Sequence, residues 1–153
     1  MLNEVLATEI VCVLRYKRHY FMAQGLSSDS VKQEFLEHAI DEQAHADQIA
    51  ERIVQLGGEP DLDPAGLVSK SHSEYVEGRS LVDMIREDLV AERVAIESYR
   101  EMIAWLDGKD PTTHQMLKSI LAKERRARRG LQFAAAGAQG HVNSAQLWCP
   151  RAP

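Results

Sequence analysis

The sequence predicts an all-α fold, an antiparallel four-helix bundle with one long crossover between its second and third helices. Apolar residues recur at spacings of three and four along four long segments, which is the period of an amphipathic helix. The connections between these segments are short, long and short. This order indicates two helical hairpins joined by a segment that crosses the length of the bundle.

Glycine, proline and serine mark the ends of each predicted helix. The helices are predicted over residues 2–26, 30–56, 80–106 and from 111 onward. Gly57-Gly58 and Asp107-Gly108 provide stop signals, and Pro111 suits the first position of a helix. The crossover, residues 57–79, could extend to about 75 Å at about 3.3 Å per residue, enough to span the bundle.

The composition of the chain is that of a single globular domain. Its 153 residues are 44% hydrophobic and 27% charged. No apolar run approaches the roughly 20 residues that a membrane helix needs, and the first residues do not form a secretory signal. The two cysteines, Cys12 and Cys149, do not make a disulfide framework. We therefore expect a cytoplasmic protein with no membrane partner.

Charge is distributed unevenly along the chain. All 23 acidic residues lie within residues 1–124, whereas residues 125–153 contain five arginines and no acid. We predict a bundle over residues 1–130, followed by a mobile Ala/Gly-rich basic tail over residues 131–153. Gly130 weakens the helix at this boundary. The tail is either a genuine basic extension or the product of a shifted reading frame.

An internal repeat places four glutamates in the apolar stripes. Glu9 precedes Glu42 by 33 residues, and Glu92 precedes Glu124 by 32. A pseudo-twofold pairing of the hairpins would bring all four to the bundle centre, where adjacent carboxylates repel unless they are protonated or neutralised. Two divalent cations would neutralise them, and His45 shares a helical face with Glu42. Oxygen ligands with imidazole suit iron or manganese, although charge alone also fits a solvated acidic surface.

With these residues in place, the chain resembles bacterioferritins, which belong to the ferritin-like di-iron superfamily. The resemblance covers about residues 1–124. It rests on the stretches 2–9, 41–47, 51–60, 88–100 and 120–124, which include Asp41-Glu42-Gln43-Ala44-His45 and Leu121-Ala122-Lys123-Glu124. The resemblance implies that the bundle is ferritin-like.

The resemblance also implies roles for single residues at an intrasubunit di-iron site. Glu9 and His45 would hold one iron, Glu92 the second, and Glu42 and Glu124 would bridge them. Tyr16 would lie beside the site as a hydrogen-bonding or electron-donating neighbour, unless it is simply a core tyrosine. These residues, Glu9, Glu42, His45, Glu92, Glu124 and Tyr16, are the predicted catalytic set.

The implied activity is that of a ferroxidase and iron store. Members of the family oxidise Fe(II) with dioxygen or peroxide and keep ferric iron inside homo-oligomeric shells of 12 or 24 subunits. Two alternatives stay open. One is a metal-binding shell or scaffold subunit with little turnover, and the other is a DNA-protecting miniferritin, which only the basic tail supports. We do not expect a nucleic-acid partner.

The sequence departs from the family pattern at two positions. Haem-binding members have methionine where this chain has Gln43, so no haem is predicted there. The family pattern has histidine where this chain has Ala127, so the second iron should be weakly held and slowly oxidised. Among other residues, we expect Cys12 to be a small buried hydrophobe, His19 and His38 to lie at the core edge or surface, and Asp88 to orient a ligand or face solvent.

Overall fold

The computed structural model describes residues 1–24 and 28–146, with side chains for residues 1–24 and 29–136. The described residues contain helices and no strand. The helices are α1 (Leu2–Met22), α2 (Ser28–Gln55), α3 (Leu67–Lys70), α4 (Leu81–Leu106) and α5 (Pro111–Gln146). α1 packs mainly on α2 and α4 on α5, while α2 and α5 join the two hairpins. The predicted all-α four-helix bundle with one long crossover is confirmed. No helix in the described part of the chain is long and apolar enough to cross a membrane.

Local capping explains where the long helices begin and end. Ser80 Oγ accepts a hydrogen bond from the Asp83 backbone N–H (3.1 Å), which fixes the start of α4. Asp110 Oδ1 accepts one from the Thr113 backbone N–H (3.1 Å) at the start of α5. Gly57 closes α2 with a φ of +80°, a left-handed conformation that glycine adopts without strain. These boundaries lie close to the predicted ones.

The crossover is fixed to the bundle by a buried polar network that the sequence did not reveal. Arg15 donates hydrogen bonds to Asp88 Oδ1 (2.9 Å) on α4 and to Ser73 Oγ (2.9 Å) and the Glu74 carbonyl (2.8 Å) in the crossover. His19 Nδ1 lies 2.8 Å from Asp88 Oδ2. Asp88 and His19 are therefore fully buried structural partners, contrary to the roles expected for them. The crossover also contains the single-turn helix α3, which was not predicted.

Two helix ends differ from the prediction. α1 ends at Met22, because Ala23 adopts an extended conformation (φ −64°, ψ 120°), and residues 25–27 lie outside the described part. α5 continues past Gly130 to Gln146, although a helix end near Gly130 was expected. Leu131 is fully buried and packs in one core cluster with Val31 and Phe35. This packing offsets the weak helix propensity of glycine. The division into a bundle and a tail after residue 130 stays a prediction, and residues 147–153 are outside the description.

Replacement of Leu131 by alanine tests whether this part of α5 belongs to the core. Because the side chain is buried, we expect a loss of about 2–5 kcal/mol in the free energy of unfolding. The neighbouring exposed Gln132→Ala variant should change it by less than about 0.5 kcal/mol. Urea denaturation at one fixed protein concentration measures both values. Equal stability of the two variants would show that the segment does not pack on the bundle.

Candidate metal centre

Four side chains from three helices converge at the centre of the bundle. Glu9 comes from α1, Glu42 and His45 from α2, and Glu124 from α5. One ligand atom of each lies within 4.8 Å of the others. None of the four residues is more than 5% exposed. Four of the five predicted metal ligands therefore form one compact group.

This group lies between two apolar clusters. On one side, Leu6, Ile49 and Ile120 belong to a cluster contributed by all four long helices. On the other side, Tyr16 and Phe35 belong to the cluster that also contains Leu131. The carboxylates are thus shielded from solvent by apolar side chains along the bundle axis. Their mutual interactions are correspondingly stronger than they would be in water.

His45 is the cation nearest the three carboxylates. Its Nδ1 lies 2.9 Å from Glu124 Oε1, 3.3 Å from Glu42 Oε2 and 3.4 Å from Glu9 Oε2. Burial lowers the pKa of His45, but its close contacts with the carboxylates of Glu124, Glu42 and Glu9 outweigh this effect and raise the pKa to about 12. Without metal, an imidazolium therefore holds these carboxylates together. A metal ion that takes its place must displace the proton.

Two of the glutamates are driven toward their neutral forms. The pKa of Glu42 is raised well above its usual value, chiefly by burial and then by Glu9. The pKa of Glu124 is raised in the same way, by burial and then by Glu42. Burial and the neighbouring carboxylates thus both disfavour the charged forms of these two side chains.

Two tyrosines bond across the bundle to the outer carboxylates. Tyr99 donates a hydrogen bond to Glu9 Oε1 (2.6 Å), and Tyr16 donates one to Glu92 Oε1. Each tyrosine follows the glutamate of its own helix by seven residues and bonds to the glutamate of the other hairpin. The two hydrogen bonds are thus related by the pseudo-twofold symmetry of the internal repeat. Tyr99 was not among the predicted site residues, although its spacing matches that of Tyr16.

Glu92 lies beside the four-residue group and has neighbours of its own. It is 2% exposed. Besides Tyr16, Glu92 has His38 as a neighbour, with His38 Nδ1 3.3 Å from Glu92 Oε1. His38 is itself only 4% exposed, so its expected place at the core edge or surface is wrong. Its position four residues before Glu42, on the same helical face, was the available signal.

Most of the unpaired buried polar atoms belong to these residues. Eight buried side-chain nitrogen and oxygen atoms of the described residues lack a hydrogen-bond partner. Seven of them belong to Glu9, His38, His45, Glu92 and Glu124. Such atoms are uncommon in folded proteins and each requires an explanation. Carboxylate oxygens and imidazole nitrogens that face one another without hydrogen bonds fit the coordination of a cation.

The remaining predicted residues lie outside this group. Gln43 is exposed and donates a hydrogen bond to Asp47 Oδ1 (2.9 Å), and the absence of haem stays a prediction. Ala127 lines a pocket of about 300 Å³ between α2 and α5. Cys12 is buried, as expected, and burial raises the pKa of its thiol.

Comparison with known proteins agrees with this geometry. The ferritin-like domain family matches residues 1–133. The chain belongs to the ferritin-like domain family. This confirms the membership of the ferritin-like superfamily that the sequence resemblance implied.

The similar proteins include a DNA protection protein and a bacterioferritin. A DNA protection during starvation protein of Pyrococcus furiosus is 30% identical over 67% of this chain and 57% of its own length. A bacterioferritin of Desulfovibrio desulfuricans is 26% identical over 81% of this chain and 66% of its own length. This chain thus spans less than two thirds of either relative.

Solved structures show the same fold. The bacterioferritin-related protein of Bacteroides fragilis, a dodecameric thioferritin, has a TM-score of 0.88 and 32% identity, covering 94% of this chain and 86% of that protein. Dps from Thermosynechococcus elongatus has a TM-score of 0.82 at 22% identity, covering 86% of this chain and 85% of its own, which is a likeness of fold alone.

The raised pKa values predict how the metal-free protein responds to pH. Because Glu42 and Glu124 hold protons more tightly when folded, and His45 does so up to a pKa of about 12, unfolding above pH 6.5 releases protons. Stability should fall as pH rises from 6 to 9, by up to about 1.4 kcal/mol per pH unit for each proton released. Urea denaturation of the metal-free protein measures this slope.

Glu124→Gln provides the matched variant for this measurement. Removal of one buried carboxylate should make the metal-free protein more stable at pH 8 and flatten its pH dependence. Glu51→Gln, at an exposed position of α2, is the control and should leave the slope unchanged. A slope that Glu124→Gln does not alter would contradict the assignment of the shifts to this cluster.

Proposed function

We propose that the protein is a ferroxidase and iron store, which oxidises Fe(II) and sequesters ferric iron at an intrasubunit di-iron carboxylate site. One observation carries the proposal. Four buried glutamates and two buried histidines lie in the bundle interior, with seven of their side-chain polar atoms unpaired. No apolar or hydrogen-bonding role accounts for such a set, whereas divalent cations satisfy it.

The charges of the set match two ferrous ions. Four carboxylates carry four negative charges, which two Fe(II) ions balance once His45 is neutral. In the proposed arrangement, Glu9 and His45 hold one iron, Glu92 the second, and Glu42 and Glu124 bridge them. Loading therefore expels protons from the cluster, so that iron binding strengthens as pH rises.

The protein's own contribution is to orient these ligands. Bound iron supplies the electrons that pass to dioxygen or peroxide. Tyr99 and Tyr16 fix one oxygen of Glu9 and of Glu92, which leaves the other oxygen of each free to face a metal. The apolar clusters above and below the site exclude bulk water from it.

Storage of iron also requires a closed assembly. The Bacteroides fragilis protein is dodecameric, and its fold matches 94% of this chain. On this basis we propose a homo-oligomeric shell of 12 or 24 subunits, in the cytoplasm. Size-exclusion chromatography with light scattering determines the subunit number directly.

Anaerobic titration with Fe(II), followed by stopped-flow mixing with oxygen, tests the central proposal. We expect two irons per subunit in the native protein and rapid absorbance growth on oxidation. Glu42→Gln removes a bridging ligand and should weaken binding at both positions, slowing oxidation by at least about 10-fold. The exposed Glu51→Gln variant should behave as the native protein. Unchanged binding by Glu42→Gln would contradict the proposed site.

The same titration separates a storage enzyme from a shell or scaffold subunit with little turnover. The alternative predicts bound metal without oxygen-dependent absorbance growth. The lack of an imidazole at Ala127 favours this alternative. The proximity of His38 to Glu92 opposes it.

A second candidate function is DNA protection. Arg125, Arg126 and Arg129 are exposed on α5. Relatives of this chain include a DNA protection during starvation protein and a nutrient stress-induced DNA-binding protein. If these arginines contact phosphates, a gel shift with duplex DNA should weaken steeply with salt. Replacement of all three by glutamine should abolish the shift and leave iron binding intact. A shift that survives the replacement, or none at any salt concentration, would exclude this role for the cluster.

A further inference from the structure

We propose that His38 supplies the imidazole ligand of the second iron position, so that α2 provides a nitrogen ligand to each of the two irons. This inference rests on the proposed di-iron site and extends it. The family resemblance assigns that imidazole to the residue at position 127, which is alanine here. The arrangement around Glu92 indicates that a residue on a different helix takes its place.

The distance between His38 and Glu92 fits a shared metal ion. His38 Nδ1 lies 3.3 Å from Glu92 Oε1. Ligand atoms about 2.1 Å from one transition-metal ion lie about 3.0 to 3.4 Å apart for angles between about 90° and tetrahedral. His38 Nδ1 is therefore close enough to the Glu92 carboxylate for both side chains to bind one ion. Glu92 would bind it through Oε2, because Oε1 accepts the hydrogen bond from Tyr16. Among the side chains that the structure describes, no histidine of α5 lies within 4.0 Å of Glu92.

The register of α2 places both histidines on the face of the bridging glutamate. His38 precedes Glu42 by four residues, and His45 follows it by three. All three residues are buried. At 1.5 Å per residue, the imidazoles originate about 6 Å before and about 4.5 Å after Glu42 along the helix axis. Glu42 thus lies between one imidazole near Glu9 and one near Glu92, as a bridging carboxylate requires.

The unpaired state of His38 argues against a merely structural role. Neither of its ring nitrogens has a hydrogen-bond partner, although the residue is 4% exposed. His19 is a buried histidine of the same chain with a structural role, and both of its nitrogens have partners, in Asp88 and in the carbonyls of Val76 and Glu77. Orphaned nitrogens on a buried ring cost free energy that a bound metal would recover.

The surroundings of Ala127 provide space for this arrangement. The pocket of about 300 Å³ between α2 and α5 is lined by both His38 and Ala127. Gly130 lies in the same wall, and a Cβ there would come within 2.6 Å of Glu34 Oε2. Because Gly130 has no side chain, Glu34 packs closely against α5. At Ala127 and Gly130, α5 thus leaves space beside His38, while Lys123 and Arg126 line the rest of its side of the pocket.

Two neighbours hold the His38 ring in position. Glu34 Oε2 lies 3.6 Å from His38 Nε2, slightly too far for a hydrogen bond but on the ring nitrogen that faces away from Glu92. A carboxylate at the second nitrogen is the usual partner of a metal-bound histidine. Tyr16 packs edge-on against the ring, with centroids 5.0 Å apart, and donates to Glu92 from the same side.

Binding of Co(II), which follows Fe(II) in the usual affinity order, tests the inference without reliance on turnover. We expect two Co(II) per subunit in the native full-length protein, and only one tight Co(II) in His38→Ala. The second dissociation constant should rise by at least about 10-fold, with loss of its share of the visible absorption. The volume-preserving variant His38→Leu should behave in the same way. His72→Ala, an exposed imidazole in the crossover, is the control.

A compensating variant makes the test specific. Introduction of histidine by Ala127→His into the His38→Ala background should restore the second Co(II), because it returns the imidazole to the position of the family pattern. Two tightly bound Co(II) ions in His38→Ala or His38→Leu would overturn the inference, as would a native protein that binds only one. Loss of all interior Co(II) from the native protein would instead refute the proposed di-iron site.

Discussion

The bundle is organised around a layer of buried carboxylates whose mutual repulsion must be balanced by cations. Glu9, Glu42, Glu92 and Glu124 lie between two apolar clusters, where water cannot screen them. In the metal-free state, His45 balances part of this charge and holds three of the carboxylates within hydrogen-bonding range. Burial, together with the neighbouring carboxylates, raises the pKa values of Glu42 and Glu124 and so favours their protonated forms. The fold therefore tolerates a set of side chains that reduces its stability, which is typical of a functional site.

Two kinds of polar contact keep this layer in register. The tyrosines cross from one hairpin to the other, so that Glu9 and Glu92 are each fixed by the opposite half of the repeat. At another level, Arg15 and Asp88 form a fully buried pair that joins α1 to α4 and fastens the crossover against both. Because a buried pair tolerates little displacement, it limits how far the hairpins can shift relative to one another. The site thus depends on contacts that themselves bind no metal.

Much of this arrangement could be predicted from the sequence, and the reasons for the failures are physical. The helix ends follow from Ser80, Asp110 and Gly57, whose effects are local. The inward glutamates follow from the repeat and the apolar period. By contrast, the pairing of Arg15 with Asp88 and the continuation of α5 to Gln146 depend on tertiary contacts, which spacing along one helix does not reveal. His38 was misjudged because a single histidine on an apolar stripe has many explanations, and its closeness to Glu92 appears only when α2 and α4 are placed side by side.

The two halves of the repeat are therefore similar in backbone and unequal in chemistry. The position equivalent to His45 in the second hairpin is Ala127, and the position equivalent to His38 is the buried Ile120. With both imidazoles on α2, α5 contributes only carboxylate from Glu124. The histidines of the two proposed metal positions then differ in the contacts that they make before an ion binds. His45 is already engaged with three carboxylates and must release a proton, whereas His38 has no hydrogen bond to break. Metal binding at the first position therefore requires His45 to lose a proton. Metal binding at the second position instead requires Glu92 to move toward the bridging carboxylates, because it lies apart from them in the metal-free protein.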